Sequence, residues 1–326
     1  MGTLLKVDDL RTYFFTEAGI VKAVDGVGFE LEEGGSLGFV GESGSGKTIT
    51  ALSVMGVIPR PGKIVSGSIN YRGENLVGKS EKELRRVRGK KIGYVSQDPN
   101  SSLDPLFTVG SQLTEVIRAH KETTKESAKE EALSLLKLVS IPEPEARLKA
   151  YPHELSGGMK QRIAIARAIA GQPELLIADE PTTNLDVTIQ AQILELLTNL
   201  QSELKMALIM ITHDMGIIAE TTKRVVVFYA GMKAENAETV DIFGSPKHPY
   251  TSALLASIPR TTVRRELIPI PGNIPNLISP PEGCRYHPRC PYVVDKCKQQ
   301  VPPWESSGPH RMVACHRWKE LTLESG

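Results

Sequence analysis

The sequence predicts an α/β protein: a parallel sheet covered by helices, carrying a helical insertion and followed by a small loop-rich module with four cysteines. Three observations lead there. The apolar run Ser36 to Val40 enters a glycine-rich loop and then a helical stretch from about Lys47 to Val57, the opening of a mononucleotide-binding unit. Further on, short apolar strands alternate with helices, the pattern of a parallel sheet buried on both faces. Beyond Gly244 the composition shifts: more than half of the 22 prolines lie between Pro246 and Pro309, and every cysteine follows.

Along the chain, Leu4 to Phe39 reads as short strands joined by turns, and Lys91 to Ser96 as a strand ending at Gln97. From about Asp98 to Glu154 strand signals give way to helices with charged faces, closed by Pro142, Pro144 and Pro152. Gly158 to Ala170 and Thr188 to Leu204 read as helices. Leu175 to Ala178, Ala207 to Thr212 and Arg224 to Tyr229 read as buried strands. The expected domains are therefore residues 1–245, with a helical subdomain at about 98–158, and a module at 246–326.

Composition narrows the function. The 326 residues are 40% hydrophobic with only 5% aromatics, so aliphatic side chains must build most of the core. With 39 basic against 38 acidic residues, the net charge of +1 lacks the footprint of a nucleic-acid binder, and no nucleic-acid partner is expected. No apolar run reaches the roughly 18–20 residues that cross a bilayer. The start, Met1 to Asp9, has neither the basic nor the apolar region of a secretory signal. A cytosolic protein that meets membranes through partners is the expectation.

The chemistry begins at Gly41-Glu-Ser-Gly-Ser-Gly46-Lys47-Thr48, which fits G-x-x-x-x-G-K-[ST]. Glycines let backbone N–H groups wrap phosphate oxygens, and the helix that follows presents its positive end. Gly41, Ser43, Gly44, Ser45, Gly46, Lys47, Thr48 and Thr50 are the ATP-binding positions expected here, with Lys47 on the outer phosphates and Thr48 on Mg²⁺. Leu175 to Glu180 is a buried strand ending in two carboxylates, Asp179 for Mg²⁺ and Glu180 to polarise the attacking water.

Leu155-Ser156-Gly157-Gly158-Met159 resembles the signature motif of the ATP-binding cassette family, with Met159 where Gln is commonest. Gln97 resembles that family's metal-reaching glutamine, and His213 its γ-phosphate histidine. Thr183-Asn184-Leu185-Asp186 resembles its dimer-contacting loop, although Ala is commoner at 184. Tyr13 stands where the family stacks an aromatic on adenine, with Phe14 the nearest competitor. The resemblance implies a phosphate-loop NTPase fold: a RecA-like parallel core, an antiparallel β subdomain and a helical subdomain. It further implies catalysis by Lys47, Glu180 and His213. Two cassettes would pack head to tail, and Ser156, Gly157, Gly158 and Asp186 of one would meet the ATP of the other.

Asp98-Pro-Asn-Ser-Ser-Leu-Asp-Pro105, His248-Pro249-Tyr250-Thr251 and Gly283-Cys-Arg-Tyr-His-Pro-Arg-Cys-Pro291 resemble the oligopeptide and dipeptide importer branch. In that branch two different ATPase subunits serve two permeases and an extracytoplasmic peptide-binding protein. This chain resembles the first ATPase, working peripherally at the cytoplasmic face of the membrane, alone as a homodimer or beside its second subunit as a heterodimer. Nickel and sugar importers share the architecture, and a nucleic-acid-acting cassette ATPase or a non-hydrolysing regulatory subunit are rival readings. Where the branch usually has Val-Glu-Xaa-Gly, this chain has Ala234-Glu235-Asn236-Ala237.

The cysteines, Cys284, Cys290, Cys297 and Cys315, are spaced C-x5-C-x6-C-x17-C without the C-x2-C knuckles of structural zinc. In a reducing compartment such clustering points to a metal rather than to disulfides. Four thiolates can ligate either Zn²⁺ or a [4Fe–4S] cluster, with His287, His310 and His316 as substitute ligands. The tail's resemblance to the peptide-importer branch implies the cluster, with Zn²⁺ as the alternative. A metal would also hold together a proline-rich tail that lacks a large core.

Overall fold

The computed structural model describes residues 2–258 and 269–324. In chain order its strands are β1 (Thr3–Thr16), β2 (Gly19–Glu32), β3 (Ser36–Val40), β4 (Gly62–Tyr71), β5 (Glu74–Asn75), β6 (Ile92–Val95), β7 (Leu175–Asp179), β8 (Ala207–Thr212), β9 (Arg224–Tyr229), β10 (Met232–Glu238), β11 (Glu305–Gly308) and β12 (Arg311–Val313). The helices are α1 (Lys47–Met55), α2 (Glu81–Val87), α3 (Pro99–Ser102), α4 (Val109–His120), α5 (Lys125–Leu138), α6 (Pro144–Arg147), α7 (Gly157–Ile169), α8 (Val187–Leu204), α9 (Met215–Thr221), α10 (Thr239–Gly244), α11 (Pro249–Ala256) and α12 (Asp295–Gln299). They divide into two compact units, one of residues 1–32, 36–77 and 210–326, the other of 33–35 and 78–209.

In the first unit, β1 and β2 form a long hairpin that continues through β4 and β5 as an antiparallel sheet ordered β2-β1-β4-β5. The short strands expected before Phe39 are thus two strands of 14 residues each. At Asp8-Asp9 the register shifts between Val7 and Leu10, and Asp9 adopts φ 41°. A bulge absorbs the polar pair and lets pairing resume. β3 pairs in parallel with β9, and β9 pairs antiparallel with β10. Phe39 sits between Phe29 and Phe228 with ring centroids 4.9 Å away on each side, a packed aromatic centre in an otherwise aliphatic core.

The proline-rich tail does not stand apart from this sheet. β12 pairs with β10, Glu235 facing Val313, and β11 closes the hairpin, so the strand order runs β11-β12-β10-β9-β3. Beneath it Glu235 is fully buried, its carboxylate accepting from Arg311 Nη2 at 2.8 Å, Lys247 N–H at 3.0 Å and His248 N–H at 3.0 Å. That network accounts for the glutamate in the Ala-Glu-Asn-Ala segment: it ties strand β10 to both flanks of the tail. Tyr229, Tyr250 and Tyr286 pack against one another, with centroids 4.6–5.3 Å apart.

His248 caps α11, its Nδ1 accepting from the Tyr250 N–H at 3.0 Å. Burial pushes its pKa down to about 3 from an ordinary 6.5. Between those values the unfolded chain takes up a proton that the folded chain refuses, so stability is lost as pH falls from 6.5 towards 3. His248→Asn keeps a capping acceptor and removes the titration. Urea unfolding at pH 7 and pH 4 is expected to show the wild type losing about 1–3 kcal/mol more than this variant on acidification. Parallel losses in the two proteins would contradict the burial account.

In the second unit β6 and β7 pair in parallel. The helical insertion is α3 to α6: α4 and α5 bury Leu113, Ile117, Ala128, Ala132 and Leu136 against each other and α7. Thr108, Thr124, Ser156 and Asp186 each cap the helix that follows, accepting a backbone N–H three residues on.

Candidate functional site

In the first unit, β3 delivers the chain into the glycine-rich loop, which turns back at three residues of positive φ: Gly41 (151°), Gly44 (77°) and Gly46 (105°). A side chain is barred at two of them by space as well. A Cβ on Gly41 would lie 2.2 Å from the Phe228 carbonyl oxygen, and one on Gly46 2.4 Å from that of Ala23. Gly46 starts α1 without a side-chain cap, so the first-turn N–H groups keep facing the loop. Lys47 is buried, and its ammonium donates to the carbonyls of Gly41 at 2.7 Å and Glu42 at 3.0 Å. Ser45 and Thr50 are buried, Thr50 bonding back to the Gly46 carbonyl, while Ser43 and Gly44 are exposed at the rim. Thr48, next to Lys47, is half-buried. The loop is a ring of backbone dipoles closed over one cation, the arrangement that accepts an oxyanion.

The same unit holds Tyr13 and His213. Tyr13 is half-buried, and its hydroxyl donates to Asp25 Oδ1 at 2.7 Å. Asp25 also accepts from Arg11 at 3.3 Å and from the buried Arg285 of the tail. Neither Asp25 nor Arg285 was legible as a partner of Tyr13, since Arg285 lies 260 residues from Asp25 along the chain. Phe14 is half-buried too, whereas Phe15, exposed at the strand end, lies under the Lys63 ammonium. His213 is exposed directly after β8, and its neighbour Asp214 caps α9.

The second unit carries the carboxylates. Asp179 ends β7 fully buried and accepts from the Tyr94 hydroxyl at 2.8 Å. Burial beside that carboxylate raises the Tyr94 pKa, so the phenol stays a donor. Tyr94, on the neighbouring strand β6, had no signal in the sequence. Glu180 follows at φ 45°, an unusual conformation for a glutamate that turns the chain out of the strand. Its Oε2 accepts from Gln97 Nε2 and Thr183 Oγ1, both at 3.0 Å. Gln97, the expected metal-reaching group, here donates its amide N–H to Glu180.

Ser156, Gly157 and Gly158 open α7, with the Ser156 hydroxyl accepting from the Met159 N–H at 3.3 Å. Gly158 abuts Ile189, where a Cβ would come within 2.8 Å of the isoleucine side chain. Asp186 caps α8 through the Ile189 N–H at 3.0 Å. Asn184 adopts φ 67°, a left-handed conformation that Asn tolerates better than Ala, which gives a physical reason for the unusual residue.

Cys284, Cys290, Cys297 and Cys315 are brought around one small cavity with His287 and His316, and none is in a disulfide. His310 does not line it. The Cys284 N–H donates to the Cys297 carbonyl at 2.8 Å, pinning two of the four together. Burial pushes the Cys284 thiol up to about 12 and the Cys315 thiol up to about 11. Among the described residues, no three His, Cys, Asp or Glu groups stand close enough to grip a metal ion as they lie. No helix is long and apolar enough to cross a membrane.

Comparison with known proteins covers nearly the whole chain. A family described as ABC transporter matches residues 24–183, and one described as the oligopeptide/dipeptide transporter C-terminal region matches residues 234–297. A probable peptide ABC transporter ATP-binding protein of Sinorhizobium fredii is 47% identical across 98% of this chain and 96% of its own. The dipeptide transport ATP-binding protein DppD of Escherichia coli is 45% identical over 96% of each chain. The oligopeptide transport ATP-binding protein OppD of Bacillus subtilis is 50% identical over 92% of this chain and 85% of its own. Among solved structures, a dimeric ATP-binding cassette in a post-hydrolysis state bound to ADP and Pi superposes with a TM-score of 0.65 at 27% identity. It covers 72% of this chain and 98% of its own.

Proposed function

The chain belongs to the ATP-binding cassette transporter ATPases, in the group that carries the oligopeptide/dipeptide transporter C-terminal region, and from that premise we propose that it powers peptide import by hydrolysing ATP. The observation that carries the reading is the loop at 41–48, whose glycine geometry and buried Lys47 fit a triphosphate, in a chain 45–50% identical to dipeptide and oligopeptide transport ATP-binding proteins.

Each residue then has a task. The loop amides and Lys47 hold the phosphates, and Tyr13 supplies the aromatic face for adenine. Glu180 polarises the attacking water, oriented by Gln97 and Thr183, and His213 steadies the γ-phosphate. Mg²⁺, when bound, neutralises charge on the phosphates, with Thr48, Asp179 and Gln97 as its protein-side groups; the buried Asp179 carboxylate is the hard oxygen ligand such an ion prefers. Ser156, Gly157, Gly158 and Asp186 serve the ATP of a second cassette in a head-to-tail dimer, so the isolated monomer turns over slowly. Binding two nucleotides drives closure because those contacts exist only in the closed pair.

Closure reaches the membrane through the helical insertion. There a groove of about 920 Å³ is lined by Thr108, Ser111, Glu115, Arg118 and Lys129, with Leu106 (78% exposed) and Phe107 (53% exposed) beside it in the sequence. Such an apolar pair next to a groove walled by both apolar and charged groups fits a cytoplasmic segment of a permease. The full assembly is then two ATPase subunits, two permeases and an extracytoplasmic peptide-binding protein, with this subunit peripheral on the cytoplasmic face and residues 1–245 and 246–326 as cassette and tail.

The four cysteines, all free and all bordering one cavity, would draw inward to take up a four-thiolate group. Buried thiols with raised pKa values become thiolates only beside a compensating cation, which a [4Fe–4S] cluster, or Zn²⁺ in its place, provides. Anaerobically purified protein is expected to be brown, with about four irons and four sulfides per chain; stoichiometric zinc in colourless protein would replace the cluster with a structural clip, and neither metal would remove the site.

The function itself is tested by reconstituting the chain with its permeases and partner ATPase in vesicles. Uptake of labelled dipeptide should require ATP and stop with Lys47→Ala. Uptake of nickel or a sugar in place of peptide would overturn the substrate while leaving the motor intact.

A further inference from the structure

We propose that the C-terminal tail holds the phosphate loop in its ATP-binding form, through Arg289 and Tyr250, and that these two act as positioning residues for ATP. The inference rests on the reading that residues 41–48 bind the triphosphate. Glu42 is the second residue of that loop, and the tail grips it twice. Arg289 Nη1 donates to Glu42 Oε2 at 2.7 Å and Nη2 to Oε1 at 3.1 Å, a two-pronged guanidinium–carboxylate pair. The Glu42 backbone N–H donates to the Tyr250 hydroxyl at 2.9 Å.

Both anchors are fixed from behind. Arg289 is only 7% exposed, and its Nε donates to the Pro271 carbonyl at 2.7 Å. Its guanidinium also reaches the Tyr229 hydroxyl at 3.4 Å and lies over that ring. Tyr250 is fully buried in the Tyr229–Tyr286 cluster, at the start of α11. The two motifs that the nucleotide reading leaves unused, His248-Pro-Tyr250-Thr and Arg285-Tyr-His-Pro-Arg289, thus converge on one loop residue. The carbonyl of Glu42 accepts the Lys47 ammonium at 3.0 Å, so moving Glu42 moves the group that meets the phosphates.

Charge adds a second effect with a distinctive sign. A carboxylate one residue from a phosphate-binding glycine repels polyphosphate unless it is neutralised, and Arg289 neutralises it. Removing Arg289 alone therefore does double harm, by releasing the loop and by exposing the negative charge. Removing Glu42 as well takes the repulsion away.

The test is MgATP affinity of the full-length protein by fluorescent-nucleotide displacement, alongside KM and kcat in the reconstituted transporter. Arg289→Met is expected to weaken ATP binding roughly ten- to a hundred-fold, the range for one charge-assisted contact. Arg289→Lys should restore part of it. The double variant Glu42→Gln with Arg289→Met should bind better than Arg289→Met alone, and kcat at saturating ATP should stay within about two-fold. Tyr250→Phe keeps the packing and removes only the acceptor, so it tests the second grip if the arginine variants fold poorly; a few-fold rise in KM is expected. Unchanged affinity in Arg289→Met and Tyr250→Phe, or a double variant worse than the single, overturns the proposal. A wild type that binds no ATP would instead sink the reading of the loop itself.

Discussion

Replacing Glu180 with Gln is expected to cut ATP turnover by about 10²–10⁴-fold, the usual worth of a positioned general base, while ATP binding persists. The prediction has this sign because the substitution preserves shape. Glu180 accepts two hydrogen bonds on one oxygen, from Gln97 and Thr183, and the carbonyl oxygen of a glutamine can accept both. The positive φ at this position is set by the turn out of β7 and is as available to Gln as to Glu. What is lost is the charge that polarises water. ATP-loaded variant should therefore accumulate as a dimer in gel filtration while phosphate release falls to near background. Turnover at the wild-type rate would remove Glu180 from the chemistry and leave His213 as the residue to test next.

The second large effect concerns stability. Glu235→Ala is expected to lower unfolding free energy by about 3–5 kcal/mol, because it strands Arg311, itself only 7% exposed, without its partner. Two backbone N–H groups, of Lys247 and His248, lose their acceptor as well. β12 docks on β10 directly above this network, so the tail should become protease-sensitive before the rest of the protein. A double variant, Glu235→Met with Arg311→Met, should recover much of the loss, since matched apolar side chains leave no buried charge behind. Guanidinium unfolding of the three proteins measures this. Equal losses in the single and double variants would show that the carboxylate's backbone contacts, rather than the ion pair, dominate.

Several parts of the molecule were legible beforehand for a common reason. The loop at 41–48, the strand expected from Leu175 to Ala178, the helices expected from Gly158 and Thr188 and the strands Ala207–Thr212 and Arg224–Tyr229 are each specified within a few neighbouring residues. Strand, turn and cap chemistry act over that range, so pattern alone locates them. The opening segment reads as short strands with turns, whereas β1 and β2 run 14 residues each; only pairing with β2 and β4 shows that the chain passes Asp8-Asp9 as a bulge. The tail was expected to have little regular structure because its prolines were counted without the strand they dock against.

By itself, the sequence determined the nucleotide motifs, their order, the helical insertion and the clustering of four cysteines along the chain, because each is read from neighbouring side chains, local periodicity or simple spacing. Only the tertiary structure decided which side chains support them. Tyr94 beneath Asp179, Arg285 behind Asp25, Arg311 on Glu235 and Arg289 on Glu42 join residues 76 to 260 positions apart. Contacts of that reach follow from how strands are ordered in a sheet, and they leave no periodicity or spacing in the chain to be read.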